Sequence, residues 1–188
     1  MAKDYVGDAL ERGDGEHFTR KIPVTPVAQI RLLLKAEKNS TKAVAARLGV
    51  SQRTVERYLA GQRKTPRKAL RDALVREASK VWQPRVRQQA RRRAAASGGI
   101  TIETRARFGY TAAAGSTDDP RERLLTVHLP AAYAGELFQA QQNGASDQEL
   151  REIVAKGFQE IYFQDGGRRA DQLSEVEIQD ITYLDVKF

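Results

Sequence analysis

The sequence predicts an α+β protein in which a helical half is followed by a small α+β domain with the element order ββααβ. Two observations predict this class. Apolar residues recur at the helical spacing of about 3.6 residues up to the Ser97-Gly98-Gly99 stretch, and the spacing changes to about two beyond it. Because glycine and serine interrupt both kinds of element, this stretch marks the predicted domain boundary. Three segments follow: a flexible arm over 1–22, a helical domain with a basic extension over 23–97, and an α+β domain over 98–188.

The helical half starts after a polar segment. Residues 1–22 show no clear period and are expected to form a loosely held arm, with a short docking helix as the alternative. Pro26 predicts the first turn of a helix that reaches about Lys38. Pro66 predicts the start of a later helix, and an arginine-rich helix is expected over 85–96.

Residues 41–60, TKAVAARLGVSQRTVERYLA, have the pattern of a helix-turn-helix. Gly49 lies where the tight turn requires a residue that tolerates positive φ. Ser51 is a good N-cap for the second helix, because its hydroxyl accepts from an unpaired amide of the first turn. Apolar side chains fall at the spacing that buries both helices in one core: Val44, Leu48, Val50, Val55 and Tyr58. The pattern predicts that the protein binds duplex DNA.

The second helix of this motif is expected to enter the major groove. Gln pairs at two points with adenine and Arg with guanine, so Gln52 and Arg53 are the predicted base readers. Basic residues around and after them are expected to hold phosphates, with a merely solvated helix face as the alternative. The predicted DNA-contacting set is Ser51, Gln52, Arg53, Thr54, Arg57, Arg63, Lys64, Arg91, Arg92 and Arg93.

The charge is unevenly distributed along the chain. Residues 20–107 contain 23 Lys and Arg against 5 Asp and Glu, whereas residues 108–188 contain 7 against 14. The basic part is suited to phosphate, and the acidic part indicates a protein partner, a metal-dependent step or simple solubility. The whole chain has a formal net charge of +8.

Several classes of site and location are excluded by composition. The chain has no cysteine and only two histidines, so no metal site and no disulfide are expected. No apolar run approaches the roughly 20 residues of a membrane helix, and the N-terminus has no secretory pattern. We therefore expect a cytoplasmic protein without a membrane partner and without a cofactor of its own.

Alternating polar and apolar residues predict the strands of the second domain. ITIETRARF over 100–108 and RLLTVHL over 123–129 are the first two strands. Helices over 130–142 and 146–164 follow, and a last strand is expected over 175–187. This part of the chain has no enzyme signature. Its exposed connection over 109–120, GYTAAAGSTDDP, offers accessible hydroxyls beside two carboxylates, although a hairpin turn explains the same composition.

The chain resembles the telomeric terminal proteins of linear Streptomyces-type chromosomes and plasmids. The similarity covers nearly all residues after about 18, and its most specific part is VWQPRVRQQARRRAAASGGITIETRARFGYTAA over 81–113. Such proteins are bonded covalently to the 5′ ends of linear DNA. A threonine hydroxyl replaces the primer 3′-OH, and a DNA polymerase joins the first deoxynucleotide to it. The resemblance thus implies a protein primer in DNA replication that is a substrate of the polymerase rather than an enzyme.

The resemblance also implies the site and the partners. The priming threonine of the family lies in a loop similar to GSTDD, which corresponds to Thr117 here, with Thr111 as the alternative and Ser116 as a weaker one. The implied partners are telomeric DNA ends, the polymerase with its Mg²⁺, and a telomere-associated protein that recognises the single-stranded overhang. The implied location is the nucleoid at replicon ends, and a homodimer is left open.

Two other functions remain as alternatives. A sequence-specific transcriptional regulator explains the helix-turn-helix equally well but leaves the GSTDD loop unexplained. A recombinase would need an accessible nucleophile and a set of catalytic arginines. Tyr58 is expected to be buried and no such arginine set is evident, so this class is disfavoured.

Overall fold

The structure, a computed structural model, describes residues 4–111, 121–166 and 175–188, with the backbone alone at Tyr110 and Thr111. Within these residues the fold is mixed α+β, with eight α-helices and a three-stranded antiparallel sheet. The chain divides into two compact units. We call Phe18–Val86 the helical unit, and Met1–His17 together with Arg87–Phe188 the sheet unit.

The elements follow one another in a simple order. The helices are α1 Tyr5–Glu16, α2 Pro26–Ala36, α3 Thr41–Leu48, α4 Gln52–Leu59, α5 Lys68–Val81, α6 Pro84–Arg93, α7 Ala131–Gln142 and α8 Asp147–Phe158. The strands are β1 Ile100–Thr111, β2 Arg121–Leu129 and β3 Glu175–Lys187. Single π-helical turns, Ala94–Gly98 and Gln159–Phe163, continue α6 and α8. None of the described helices is long and apolar enough to cross a membrane.

The helical unit packs α2 to α5 around one apolar core. Ile30, Leu33, Val44 and Leu74 are almost completely buried in it. The helix predicted to start at Pro66 starts instead at Lys68, because Arg67 is still extended, with ψ of 157°. Pro66 itself is buried, so it packs against the unit rather than opening the helix.

A charged network ties three helices of this unit together. Arg47 of α3 donates to Glu77 of α5 at 2.8 Å and to Glu37, at the end of α2, at 2.8 Å. Glu77 is 9% exposed, and its other carboxylate oxygen accepts from Arg76. A buried carboxylate is tolerated only when it is paired in this way.

The sheet of the sheet unit has the strand order β2-β1-β3, with all pairs antiparallel. Ile102 of β1 lies between Val127 of β2 and Val186 of β3, and all three are buried. Side chains alternate between a face packed on helices and an exposed face, as in half-buried antiparallel sheets. On the buried side, Phe108 stacks on Phe158 of α8 with ring centroids 5.8 Å apart.

Of the two readings left open for residues 1–22, a loose arm and a short docking helix, the structure has a helix over Tyr5–Glu16. Asp4 caps this helix by accepting from the Gly7 amide at 2.9 Å. Val6, Ala9 and Leu10 are fully buried in the core of the sheet unit. The apolar spacing is the signal for the docking helix, and the tertiary contacts supply most of its stability.

The boundary predicted at Ser97-Gly98-Gly99 also differs from the observed division at Val86/Arg87. Ala90 and Ala94 are buried within the sheet unit, and Arg91 forms an ion pair with Asp14 there. The basic extension therefore belongs with the sheet rather than with the helices that precede it. Local composition gives no sign of this, because the deciding contacts join residues far apart in sequence.

Candidate nucleic-acid interface

The connection between α3 and α4 is a tight turn built on Gly49. This residue has φ 65° and ψ 34°, the left-handed conformation that glycine adopts without strain. The Val50 amide donates to the Ala45 carbonyl at 3.0 Å and closes the end of α3. Ala45 is 4% exposed, so its small side chain lies inside the helix pair.

Both helices of the pair have capped N-termini. Ser40 accepts from the Ala43 amide at 3.1 Å, and Ser51 accepts from the Thr54 amide at 3.3 Å. The predicted cap at Ser51 is thereby confirmed. Since a helix N-terminus carries a partial positive charge, each of these ends favours an anion.

The two N-termini meet through a side-chain hydrogen bond. Gln52, the first residue of α4, donates from Nε2 to Oγ1 of Thr41, the first residue of α3, at 3.0 Å. Thr41 is the residue at this interface that the sequence interpretation missed as a contact. Its position at the start of one helix, eleven residues before the start of the next, is the signal that could have identified it.

The outward face of α4 is polar, and its inward face anchors it. Val55 and Tyr58 are 1% and 2% exposed, and the Tyr58 hydroxyl donates to the Thr65 carbonyl at 3.3 Å. Arg53 and Glu56 are exposed on the other side. The buried side chains therefore fix α4 in the core, and the exposed side chains on its other face are accessible to a ligand.

The remaining predicted contacts of the helical unit fall around this face. Thr54 is half-buried and hydrogen-bonds Ser51 at 2.9 Å, which makes it part of the cap. Arg57 is half-buried in the last turn of α4, whereas Arg63 and Lys64 are exposed in the segment that follows. That segment is held by its backbone, since the Arg63 amide donates to the Arg57 carbonyl at 3.3 Å.

Gln52 is not placed for the two-point adenine contact that the sequence predicts. Its Nε2 donates to Thr41 and also to Oε1 of Glu56, at 2.8 Å. Both amide hydrogens are thus engaged within the protein, and the carbonyl oxygen Oε1 is the group left for a base.

Electrostatics favour a polyanion at the helical unit. Residues 18–86 contain 17 Lys and Arg against 4 Asp and Glu, which gives a formal charge of +13. The remaining residues contain 15 against 20, which gives −5. A charge of this size attracts anions such as phosphate to the unit.

Arg91, one of the predicted phosphate contacts, has partners within the protein. Arg91 forms two hydrogen bonds with the buried Asp14, and it also donates to Gln141 at 2.8 Å. Its guanidinium lies 4.9 Å from the Phe138 ring centroid. The Arg91 guanidinium therefore has several partners within the sheet unit. Arg92 and Arg93 are exposed and remain accessible to phosphate.

The predicted attachment residues lie at or beyond the edge of the described chain. Ser116 and Thr117 lie outside the described residues, and so does the side chain of Thr111. The backbone of Thr111 ends β1 and pairs with Glu175 of β3. Phe108 pairs with Arg121, so the segment 112–120 joins two neighbouring antiparallel strands. Among the described residues, no group of three or more His, Asp and Glu is arranged to hold a metal ion.

None of the known family models, curated proteins or solved structures compared with this chain matches it. Function is therefore inferred from the residues of the chain and from the geometry around them.

Proposed function

We propose that the helical unit contains a helix-turn-helix that binds duplex DNA with α4 in the major groove. The observation that supports this most is the meeting of two capped helix N-termini, at Thr41 and Gln52, beside the exposed face of α4. Helix N-termini and their amides are common phosphate contacts. In this arrangement they would set the depth and orientation of α4 on the duplex.

The side chains divide into two roles in this proposal. Arg53 is exposed in the first turn of α4, where a guanidinium reaches the O6 and N7 acceptors of guanine. Arg57, Arg63 and Lys64 would hold phosphates and fix the register. The charge of +13 on residues 18–86 supports binding that weakens as salt rises.

We further propose that the protein is a terminal protein that primes DNA synthesis at the ends of linear replicons. The support is the resemblance over 81–113 and the three candidate hydroxyls, of which Thr111 ends β1 and the other two lie in the connection between β1 and β2. In this proposal a ββααβ domain presents that connection to a polymerase. The acidic residues of the same domain would meet the polymerase and the telomere-associated protein.

The priming step is a phosphoryl transfer. The hydroxyl oxygen of Thr117 attacks the α-phosphorus of a deoxynucleoside triphosphate, a phosphodiester bond to the protein forms, and pyrophosphate leaves. The proton of the hydroxyl passes to solvent or to a base of the polymerase. Mg²⁺ in the polymerase site activates the hydroxyl and stabilises the leaving group, so this chain would need no catalytic set of its own.

Duplex binding is tested by fluorescence anisotropy of a labelled duplex titrated with the full chain at several salt concentrations. Arg53→Ala and Arg57→Ala should each weaken binding about tenfold, and Arg57→Ala should also reduce the salt dependence. Lys156→Ala removes an exposed positive charge from α8 and is the matched control, with no change expected. Equal losses in all three variants would contradict an interface on α4.

The transcriptional regulator is the alternative that this experiment does not exclude. Both functions need the α4 interface, and they differ only in the attachment of a nucleotide. Thr117→Ala should abolish attachment and leave duplex binding unchanged if the chain is a terminal protein. A chain that binds duplex and never accepts a nucleotide would instead be a regulator.

A further inference from the structure

We infer that Gln52 and Glu56 form a pair of hydrogen-bond acceptors that selects a cytosine in the major groove, and that Thr41 holds the pair in this state. The inference rests on the proposed function, since it concerns the same face of α4. It replaces the adenine preference that the sequence alone predicts for Gln52.

The orientation of the Gln52 amide is settled by its partners. A carboxylate has only acceptors at neutral pH, so the Gln52 atom 2.8 Å from Oε1 of Glu56 must be the donor Nε2. The second hydrogen of Nε2 points to Oγ1 of Thr41 at 3.0 Å. The amide therefore has no hydrogen left to donate to a base, and its exposed oxygen can only accept.

Glu56 adds a second acceptor on the same side of α4. Gln52 and Glu56 are four residues apart, so they lie one above the other on one helix face. One oxygen of Glu56 accepts from Gln52, and the carboxylate keeps acceptor sites for a base. Both residues are exposed, and neither has to move away from the core to meet a ligand.

The edges of the bases decide which one suits two acceptors. In a Watson–Crick pair cytosine presents one free N4 hydrogen and no adjacent acceptor on its own edge, so either Glu56 or Gln52 can accept from it, and carboxylates are known to do so. Adenine also has a donor at N6, but its N7 acceptor lies beside that donor and repels a carboxylate. Guanine presents O6 and N7, which are both acceptors. Cytosine is therefore favoured, and guanine at the same position is the most strongly rejected base.

Thr41 is a positioning residue in this scheme. Without its hydroxyl, one hydrogen of the Gln52 amide becomes available, and the amide can pair at two points with adenine. Thr41→Val should thus shift the preference at this position from cytosine toward adenine, whereas Thr41→Ser keeps the hydroxyl and should restore cytosine. A purely structural role for Thr41 would change overall affinity and leave the base preference as it is.

The test is selection from a library of duplexes with a randomised central segment, using the full chain. The best site is then titrated as four duplexes that differ only at the selected position. Wild-type protein should prefer cytosine over guanine there by about tenfold or more. Glu56→Gln should remove most of that discrimination, and Arg53→Ala should change a different position. Glu152→Gln, which alters an exposed carboxylate on α8, is the matched control and should behave as wild type.

The outcomes separate this inference from the function on which it rests. If wild-type protein binds no duplex above background, the proposed function fails and the inference fails with it. If it selects a site but Glu56→Gln and Thr41→Val leave every base preference unchanged, the inference alone is overturned. Circular dichroism of each variant identifies any loss that is due to unfolding, and Thr41→Ser provides the comparison for Thr41→Val.

Discussion

Arg91 forms a bidentate ion pair with Asp14, with Nε donating to Oδ1 at 2.9 Å and Nη2 donating to Oδ2 at 2.7 Å. Asp14 has no exposed surface, and Nε of Arg87 lies 3.4 Å from the same Oδ2. The contact joins α1 to α6 across 77 positions of sequence. Since a buried carboxylate is costly without partners, this pair helps to hold α1 and the part of α6 from Arg87 onward together in the sheet unit.

Replacing Arg91 should therefore affect stability rather than phosphate binding. Arg91→Ala leaves Asp14 buried with a single arginine, and we expect the sheet unit to lose about 2–4 kcal/mol of unfolding free energy. The exposed Arg92 has no such role, so Arg92→Ala should change this free energy by less than about 0.5 kcal/mol. Hydrogen exchange of β1 and β3 amides in increasing urea measures the difference. Equal behaviour of the two variants would contradict a structural role for Arg91.

Two glycines of α1 should respond to alanine in opposite directions. A Cβ on Gly13 would lie 2.6 Å from the Val186 carbonyl oxygen, a backbone atom that has little room to move. Gly13→Ala should therefore destabilise the sheet unit by about 1–3 kcal/mol. At Gly15, no described atom lies within 4 Å of the corresponding position. Gly15→Ala should stabilise the unit by up to about 1 kcal/mol, since alanine is the better helix former.

Urea unfolding with hydrogen exchange as the readout compares the two glycine variants directly. A loss at both positions would mean that α1 tolerates no side chain on either glycine. A gain at both would mean that α1 does not approach β3 as closely as described.

The stability of the helical unit should depend on pH through Glu77. Burial alone raises the pKa of this carboxyl, but the hydrogen bond from Arg47 and the positive charge of Lys80 outweigh it. The pKa is thereby held below its ordinary value of 4.5. A carboxyl with a lower pKa in the folded state contributes stability above its unfolded pKa and loses it as pH falls. We therefore expect the unfolding free energy to drop on acidification below about pH 5.

Trp82 provides the measurement, since it is the only tryptophan of the chain and belongs to the helical unit. Glu77→Gln should cost about 1–2 kcal/mol at neutral pH and flatten the acid dependence. Asp72→Asn, on an exposed carboxylate of the same helix, is the control and should keep the wild-type pH profile. If the unfolding free energy of Glu77→Gln falls on acidification as much as that of the wild type, the pH dependence must come from other groups.

Local signals predicted the α3–α4 region well. Gly49 and Ser51 each act within four residues, so their effects on the turn and on the cap of α4 follow from neighbouring residues. The strands are similarly marked by alternation. β2 starts two residues before the prediction because Arg121 and Glu122 pair with β1, and β1 ends three residues after it because residues 109–111 pair with β3.

The errors have a common physical origin. The division of the chain after Val86 and the partners of Arg91 both involve Asp14, whose partners lie far away in sequence. In the sequence, Asp14 between two glycines is typical of an exposed loop. Its burial becomes evident only from its contacts with Arg87 and Arg91. The Gln52 amide differs, since its contact with Glu56 follows from their spacing of four residues on one helix, whereas its contact with Thr41 also depends on how α3 and α4 pack.

The central claim is that a hydroxyl of residues 109–120 accepts the first nucleotide at a DNA end. It is tested most directly by the intact mass of the full chain after incubation with polymerase, Mg²⁺, telomeric template, telomere-associated protein and deoxynucleotides. We expect one deoxynucleoside monophosphate adduct, placed by tandem fragmentation on Thr117 and absent from Thr117→Ala. An adduct on Thr111 or Ser116 would correct the residue alone. No adduct with every component supplied would contradict priming and leave a DNA-binding regulator.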